Sequence, residues 1–368
     1  MDDINNKKRI VMYQPKVPPY RFDFLRGLRE KLGSGFIFYH SDSNFLGTSI
    51  AAEIKAIYLG RVIDLPFKLN WQLGVFRISI RSDDLLIVGG NIRHIALMLF
   101  LVYLKIFNRG KIGWWGHYSS GSVKPISTRL RLFLGLKLSH FFIFYTQQEV
   151  KRYQLQSRSK HPVYFMNNGL NIQTIGKFRA EYNVTKRGSN ILFLGRLTKK
   201  SKLEDLIKAI SLVHNNGLNL HVVGASDSMV LEYYQLLAEN YKVSEKIFWH
   251  GPLWDEEDIS RICNMCAIMV YPGDVGLSLI HALSYGIPVI VHNSKTTHMP
   301  EIEAFEEGIN GISFTKENLK ELTESIDLLL NATDLRVKMS AEAIKITSGV
   351  YNTRNMVNAV LSIAELNN

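Results

Sequence analysis

Residues Tyr271 to Val291, YPGDVGLSLIHALSYGIPVIV, join an apolar strand pattern, a glycine-bearing turn and a short helix, an arrangement able to hold an anion. Ala267 to Tyr271 is continuously apolar, as a strand covered on both faces must be, and Pro272-Gly273-Asp274 ends it. Gly276 leaves room for a ligand against the backbone. A helix from about Val275 turns its unpaired N–H groups and positive dipole end toward a phosphate. A βαβ unit with no ligand would have the same outline. On that helix Ser278, His281 and Tyr285 fall at i, i+3 and i+7, a polar stripe on an otherwise apolar helix.

Other groupings are open to chemical readings. His117 follows Trp114-Trp115-Gly116 at the end of a strand pattern and is a candidate for holding a sugar or an acceptor hydroxyl. The tryptophans suit either stacking on a sugar face or core packing. Cys263 and Cys266, the only cysteines, have CxxC spacing but sit late in a helical run. A redox pair normally opens a helix, so i, i+3 packing is the better reading. His281, His292 and His298 match no common metal spacing, and Asp83-Asp84 reads as acidic residues opening a strand.

Alternating elements must position these groups. Strand patterns occur at Arg9–Tyr13, Phe36–Tyr39, Leu85–Val88, Lys111–Trp115 and Phe141–Tyr145, with a helix near Tyr20–Leu32 and another from about Thr146. The rhythm lapses after Asn168-Gly169 and restarts at Ile191–Leu194, Leu220–Val223 and Ile247–His250, with helices near 203–215, 229–241 and 256–266 between strands. After Gly311 the remainder reads as helical. The expected organisation is an α/β chain with one doubly wound domain at 1–170, a linker at 171–190 and a second domain at 191–345. A helix within 346–368 is expected to pack back on the first domain, and the default ligand site is the cleft between the domains.

The 368 residues carry a formal charge of +11, unevenly spread. Residues 1–180 hold 27 Lys and Arg against 10 Asp and Glu, a net +17; the remainder holds 17 against 23, a net −6. A basic half suits a phosphate-bearing substrate or an anionic membrane surface. Arg93 to Lys111 places an unusually apolar helix between basic ends, and Arg129, Arg131 and Lys137 flank another apolar run. Nucleic acid is not expected, because the basic residues are scattered and mark no recognisable module. A polar start and the absence of a spanning apolar run predict a cytoplasmic protein, peripheral at most on the inner face of the membrane.

The second half resembles the family-four retaining glycosyltransferases. The residues that carry this are Gly195-Arg196-Leu197, Val223-Gly224, Gly251-Pro252, the run Pro272…Gly276-Leu277…Gly286-Ile287-Pro288, and Pro300-Glu301…Asn310-Gly311. The first half resembles the family weakly, through Pro18-Pro19-Tyr20-Arg21 and Asn168-Gly169. The resemblance implies a GT-B fold, two Rossmann-like domains with a nucleotide-sugar donor held mainly by the second and an acceptor by the first. It places Arg196 on the arginine that neutralises the donor diphosphate. The usual lysine falls at Ser201, which leaves Lys200 or Lys202 to supply that charge. Gly195, Lys200, Gly251, Pro252, Asp274, Val275, Gly276, Leu277, Ser278, His281 and Glu301 are the candidate donor-binding set, and Arg196 and Lys202, joined by His117 from its place after a strand end, the candidate catalytic set.

Two glutamates that the family carries around the sugar and ribose are replaced here by Gly273 and His281. Asp274 is a stand-in for the first, and His281, five residues into the helix, for the second. The implied function is hexosyl transfer from a nucleoside-diphosphate sugar to a glycan hydroxyl, on a lipid-linked oligosaccharide of bacterial O-antigen or capsule assembly, with no cofactor and no metal. A nucleotide-sugar epimerase and a non-catalytic nucleotide-sugar binding protein are the alternatives.

Overall fold

The computed structural model describes residues 9–41, 48–118, 125–215 and 217–367. They divide into two units, Met1–Asn167 with Thr353–Asn368, and Asn168–Asn352.

Unit 1 is built on strands β1 (Ile10–Gln14), β2 (Phe36–His40), β3 (Ile57–Tyr58), β4 (Val62–Leu65), β5 (Leu69–Gln72), β6 (Leu85–Gly89), β7 (Lys111–Trp115), β8 (Phe141–Phe144) and β9 (Val163–Phe165). Its helices are α1 (Phe22–Leu32), α2 (Thr48–Glu53), α3 (Ile95–Ile106), α4 (Pro125–Leu138) and α5 (Gln147–Gln156). β4 and β5 form an antiparallel hairpin; the other strands form one parallel sheet in the order β3-β2-β1-β6-β7-β8-β9. Its central strands are apolar throughout because helices cover both faces. Residues of α3, α4 and α5 fill one face, with Leu97, Leu101 and Tyr153 at its centre. Residues of α1 and of the C-terminal helix Thr353–Leu366 fill the other, where Gly27 of α1 leaves room for Val357. Trp114 and Trp115 are both 3% exposed and lie in opposite cores, so neither is available to stack on a sugar. Asp84 is buried and accepts from Arg9 and the Arg81 amide, the structural role its position at a strand start suggests.

Unit 2 contains α6 (Ile172–Phe178), α7 (Val184–Arg187), β10 (Ser189–Leu194), α8 (Leu203–Leu212), β11 (Leu218–Val223), α9 (Ser228–Asn240), β12 (Ile247–Gly251) and α10 (Glu256–Cys263). It continues with β13 (Ile268–Tyr271), α11 (Leu277–Ser284), β14 (Val289–His292), β15 (Gly311–Phe314), α12 (Leu319–Asn331) and α13 (Thr333–Gly349). The parallel order is β12-β11-β10-β13-β14-β15.

Two expectations change, and the reading of the cysteine pair as packed rather than redox-active is kept. β15 lies where the sequence suggested helix: Gly311 lets the strand pass close to β14, since a Cβ there would lie 2.2 Å from the Val289 carbonyl oxygen. Residues 171–190 form α6 and α7, which belong to unit 2. Within them Arg187 is 1% exposed, stacks on Tyr182, and donates to the carbonyls of Cys263, Cys266 and Tyr285. It thereby supplies donors to carbonyls at and just beyond the C-terminal ends of α10 and α11, where helices run short of them. Cys263 and Cys266 are fully buried, and burial pushes both thiols up, out of reach of redox chemistry near neutral pH.

Burial also holds several histidines neutral. His94, His117, His140, His221 and His292 are each pushed down to about 4, first by desolvation and then by neighbouring charges or histidines. The ordinary value is 6.5, so on acidification the unfolded chain binds protons that the native chain refuses. Stability is therefore complete above about pH 6.5 and lost as pH falls toward 4. Urea midpoints measured from pH 7 to 5 are expected to fall steadily, and His221→Gln, which breaks the 3.0 Å contact with His250, to flatten the slope. A midpoint independent of pH over this range would contradict the reading.

Candidate functional site

Three neighbouring strands of unit 2 end in glycines, and these ends are tied in steps. The Gly195 amide donates to the Val223 carbonyl at 2.9 Å and the Gly224 amide to the Gly251 carbonyl at 2.8 Å. A Cβ on Gly224 would lie 1.9 Å from the Gly195 carbonyl oxygen, so side chains are excluded where the strand ends crowd together. Beside them β13 ends at Tyr271, whose ring stacks on Phe193 at 4.9 Å. Strand order reverses between β10 and β13, the point where parallel sheets hold ligands.

The loop after β10 lies over the loop after β13. Ser201, at the position of the expected lysine, is 1% exposed and closes a turn by bonding the Thr198 carbonyl at 2.6 Å. The Lys200 carbonyl accepts from the Asp274 amide at 3.4 Å. A Cβ at Gly273 would lie 2.0 Å from that same Lys200 oxygen and 2.7 Å from the Ser201 carbonyl carbon. A glutamate at 273 is therefore incompatible with this backbone. Of the cations on the loop, Lys202 begins α8 with φ 54° and approaches Glu204 at 3.9 Å. Arg196 and Lys200 are both exposed.

Asp274 does not stand free as a replacement carboxylate. Its Oδ1 is 3.1 Å from Lys316 Nζ and 3.3 Å from His292 Nε2. Burial alone would raise its pKa, but bonds from Thr297 and Lys316 outweigh that and hold it low. The tautomers around it are fixed. His298 Nδ1 accepts from the Val275 amide and Nε2–H donates to the His292 carbonyl; His292 Nδ1 accepts from the Ser294 amide, leaving Nε2–H toward Asp274. The rings stack at 3.8 Å. Ligand atoms of Asp274, His292 and His298 lie within 4.8 Å of one another, yet His298 has no lone pair to give and Lys316 already neutralises the carboxylate. The cluster fixes the loop at Val275 rather than offering a cation its ligands.

Gly276 caps α11, and the first amides of that helix have no partner within it. Glu301 faces this end. It is 5% exposed; its Oε1 accepts from Asn168 Nδ2 at 2.5 Å, while its Oε2 is buried without a hydrogen-bond partner, 3.9 Å from where a Gly276 Cβ would be. Leu277 and Ser278, in the same turn, are half-buried. Gly251 has φ 68° and Pro252 is exposed at the end of β12.

Farther along α11, His281 Nε2 meets Glu256 Oε1 at 2.9 Å, and the Tyr285 hydroxyl donates to the same oxygen at 2.6 Å. Burial would raise the Glu256 carboxyl, but bonds from His281 and Tyr285 hold it low. The polar stripe Ser278, His281, Tyr285 is thus closed at its far end by Glu256, which the sequence reading missed. Nothing in the spacing of an acidic first turn singles out one of its members. Exposed Trp254 lies two residues before Glu256.

In unit 1, His117 follows β7. Its ring packs on Tyr145 at 4.6 Å, its Nδ1 is 3.9 Å from Glu149 Oε1, and burial with Arg131 and Arg21 keeps it neutral, near 4. A 420 Å³ cavity opens at the carboxyl ends of β1 and β6, where strand order reverses; Lys16, Arg21, Asp64, Asn91 and His94 are among its lining. His94 Nε2 faces Asn91 Nδ2 at 3.1 Å and its Nδ1 is buried without a partner. His117 is not part of that lining.

Residues 175–346 match the family model described as glycosyl transferases group 1. Over 340 residues the chain is 23% identical to the uncharacterized glycosyltransferase MJ1607 of Methanocaldococcus jannaschii, with 84% of each chain covered. A stretch of 150 residues, 40% of this chain and 38% of the other, is 25% identical to an uncharacterized 41.2 kDa protein in the cps region of Klebsiella pneumoniae. Among solved structures, Anabaena Alr3699/HepE in complex with UDP has a TM-score of 0.75 at 15% identity, over 98% of this chain and 100% of that one. The fold is the GT-B type with two Rossmann-like domains.

Restoring the family glutamate by Gly273→Glu is expected to cost about 1–3 kcal/mol through overpacking against Lys200–Ser201. Thermal denaturation should show the loss, with no gain in nucleotide affinity; a variant as stable as the parent would refute the contact. Glu256→Gln is expected to raise KM for a nucleotide-sugar donor roughly tenfold with little change in kcat, since it weakens one charge-assisted bond that orients His281. Unchanged KM would show that the pair only packs α10 on α11.

Proposed function

We propose, from the premise that residues 175–346 are a group 1 glycosyl transferase domain, that the chain transfers a hexosyl group from a nucleoside-diphosphate sugar to a glycan hydroxyl with retention at the anomeric carbon. The observation that carries this reading is the buried, unpartnered Glu301 Oε2 directed at the open end of α11. A buried acceptor without a donor is costly, and a sugar hydroxyl supplies one. A diphosphate then lies on the first-turn amides of α11, with Arg196 and Lys200 as its cations. Lys200 suits this role better than Lys202, which is turned toward Glu204. His281, held by Glu256, takes a ribose hydroxyl on Nδ1 in place of the family carboxylate.

In the step proposed, the bond between the anomeric carbon and the phosphate oxygen breaks and the acceptor oxygen attaches on the same face. The acceptor proton passes to the departing diphosphate, so no protein base is required. Fixed cations in the site stabilise the charge that grows on the leaving group more than they stabilise the ground state. Because Lys316 occupies the one carboxylate beside the histidine pair, the cationic side chains serve where a metal otherwise would.

The acceptor belongs to unit 1, where the cavity at β1 and β6 offers Lys16, Arg21, Asn91 and the unpaired His94 Nδ1. The cps-region relative and the basic charge of residues 1–180 support a lipid-linked acceptor in O-antigen or capsule assembly at the cytoplasmic face of the membrane.

A panel of nucleotide sugars, read by thermal stabilisation and then by product formation with and without acceptor, tests the reading. Stabilisation by one donor and transfer only with acceptor are expected, undiminished by EDTA. Arg196→Ala should lower kcat/KM about 10²–10³-fold at an unchanged Tm. Product formed without acceptor would point to epimerisation instead, and a panel without effect would sink the proposal.

A further inference from the structure

The outer side of α3 and α4 in unit 1 is apolar where a soluble helix pair is normally polar. Every residue of α3 except Lys105 is apolar, and its inner face, Ala96, Leu97, Phe100, Leu101 and Leu104, is buried. The other face remains exposed. Leu99, Val102, Tyr103, Ile106 and Phe107 follow one another at helical spacing, and Ile106 is 71% exposed. α4 packs beside α3 on the same face of the sheet and adds exposed Leu130 and Phe133. Exposed Phe76 closes on the inner-face residue Phe100 at 5.8 Å, and the exposed Tyr103 and Phe107 rings meet at 4.7 Å. A contiguous apolar patch rimmed by polar residues marks an interaction surface.

Charge identifies the partner. Between Asp84 and Glu149 the sequence contains eight lysines and arginines and no aspartate or glutamate. Arg93 and Arg109, just beyond the two ends of α3, and Arg129 and Lys137, in line with Phe133 on α4, are all exposed. A second copy docking the same patch about a two-fold axis would bring these cations against themselves. Aliphatic Leu99, Val102 and Ile106 offer nothing to a nucleic-acid phosphate. No helix among the described residues is long and apolar enough to cross a membrane.

We propose that the α3–α4 face of unit 1 seats on an anionic lipid bilayer, with the apolar stripe at the level of the upper acyl chains and the flanking cations among the headgroups. The proposal rests on the reading that the acceptor is lipid-linked, but it concerns a different surface from the donor site, and the two fail separately.

The full chain is mixed with vesicles of phosphatidylcholine alone or with phosphatidylglycerol added, and sedimented at low and at physiological salt. Binding to the anionic vesicles only, weaker with salt, is expected. Ile106→Glu/Phe107→Glu and Arg129→Glu/Lys137→Glu should each lower vesicle affinity at least about tenfold. Both pairs are exposed, so Tm and donor-induced stabilisation should stay at the parent value. A parent chain that remains in the supernatant, or an Ile106→Glu/Phe107→Glu variant that sediments as the parent does, overturns the proposal. So does a parent dimer in sedimentation velocity that this variant dissociates, since a second copy would then cover the face. Loss of donor stabilisation with vesicle binding intact would count against the transfer reading alone.

Discussion

The candidate site of unit 2 depends on one backbone contact, the passage of the Lys200–Ser201 peptide over Gly273. It determines where the loop after β10 crosses the loop after β13, and so where Arg196 and Lys200 stand relative to the first turn of α11. It also accounts for the missing carboxylate at 273, because any side chain there would push the two loops apart. Once that position is closed, Asp274 turns toward Lys316 and His292, and the His292–His298 stack fixes the Val275 amide at the mouth of the helix. The family's polar groups are thus redistributed by a steric constraint, and the charge balance of the loop moves to a cluster that holds its shape.

The same redistribution occurs at the far end of α11. A carboxylate at 281 would accept hydroxyl protons directly; here an imidazole stands there with Glu256 behind it, and Tyr285 shares the same oxygen. The negative charge still lies near the helix, one side chain removed. An imidazole backed in this way presents a single lone pair with a fixed direction, which is more selective in angle than a carboxylate's two oxygens.

Much of this was legible from residue order. Buried parallel strands read as unbroken apolar runs, and the glycines at their ends marked the turns, so the paired Rossmann-like pattern and the strand, turn and helix of Tyr271–Val291 could be placed from the residues alone. What escaped had physical reasons. Gly311–Phe314 is too short to show a period, and its strand character comes from close approach to Val289, which depends on the partner strand. Arg187 looked like linker because a polar stretch does not reveal that its guanidinium will be buried among carbonyls distant in sequence. Trp114 and Trp115, adjacent in sequence, point to opposite sides of the sheet, as neighbours in a strand must, and vanish into separate cores. Glu256 was hidden among Asp255, Glu257 and Asp258, which belong to the same helix start but not to the same contact.

The return of Thr353–Leu366 to unit 1 has a consequence for the order in which the chain is completed. Met356, Val357, Val360 and Ile363 belong to the core that Phe24, Leu25 and Leu28 of α1 line. As the chain emerges during synthesis, those α1 side chains lack their covering helix until all of unit 2 has been made. The unit that is synthesised first is therefore finished last. Through that interval an apolar flank of α1 remains wet, a liability for aggregation that ends only when a segment more than 300 residues downstream docks, at a loop-closure cost that rises only slowly with length.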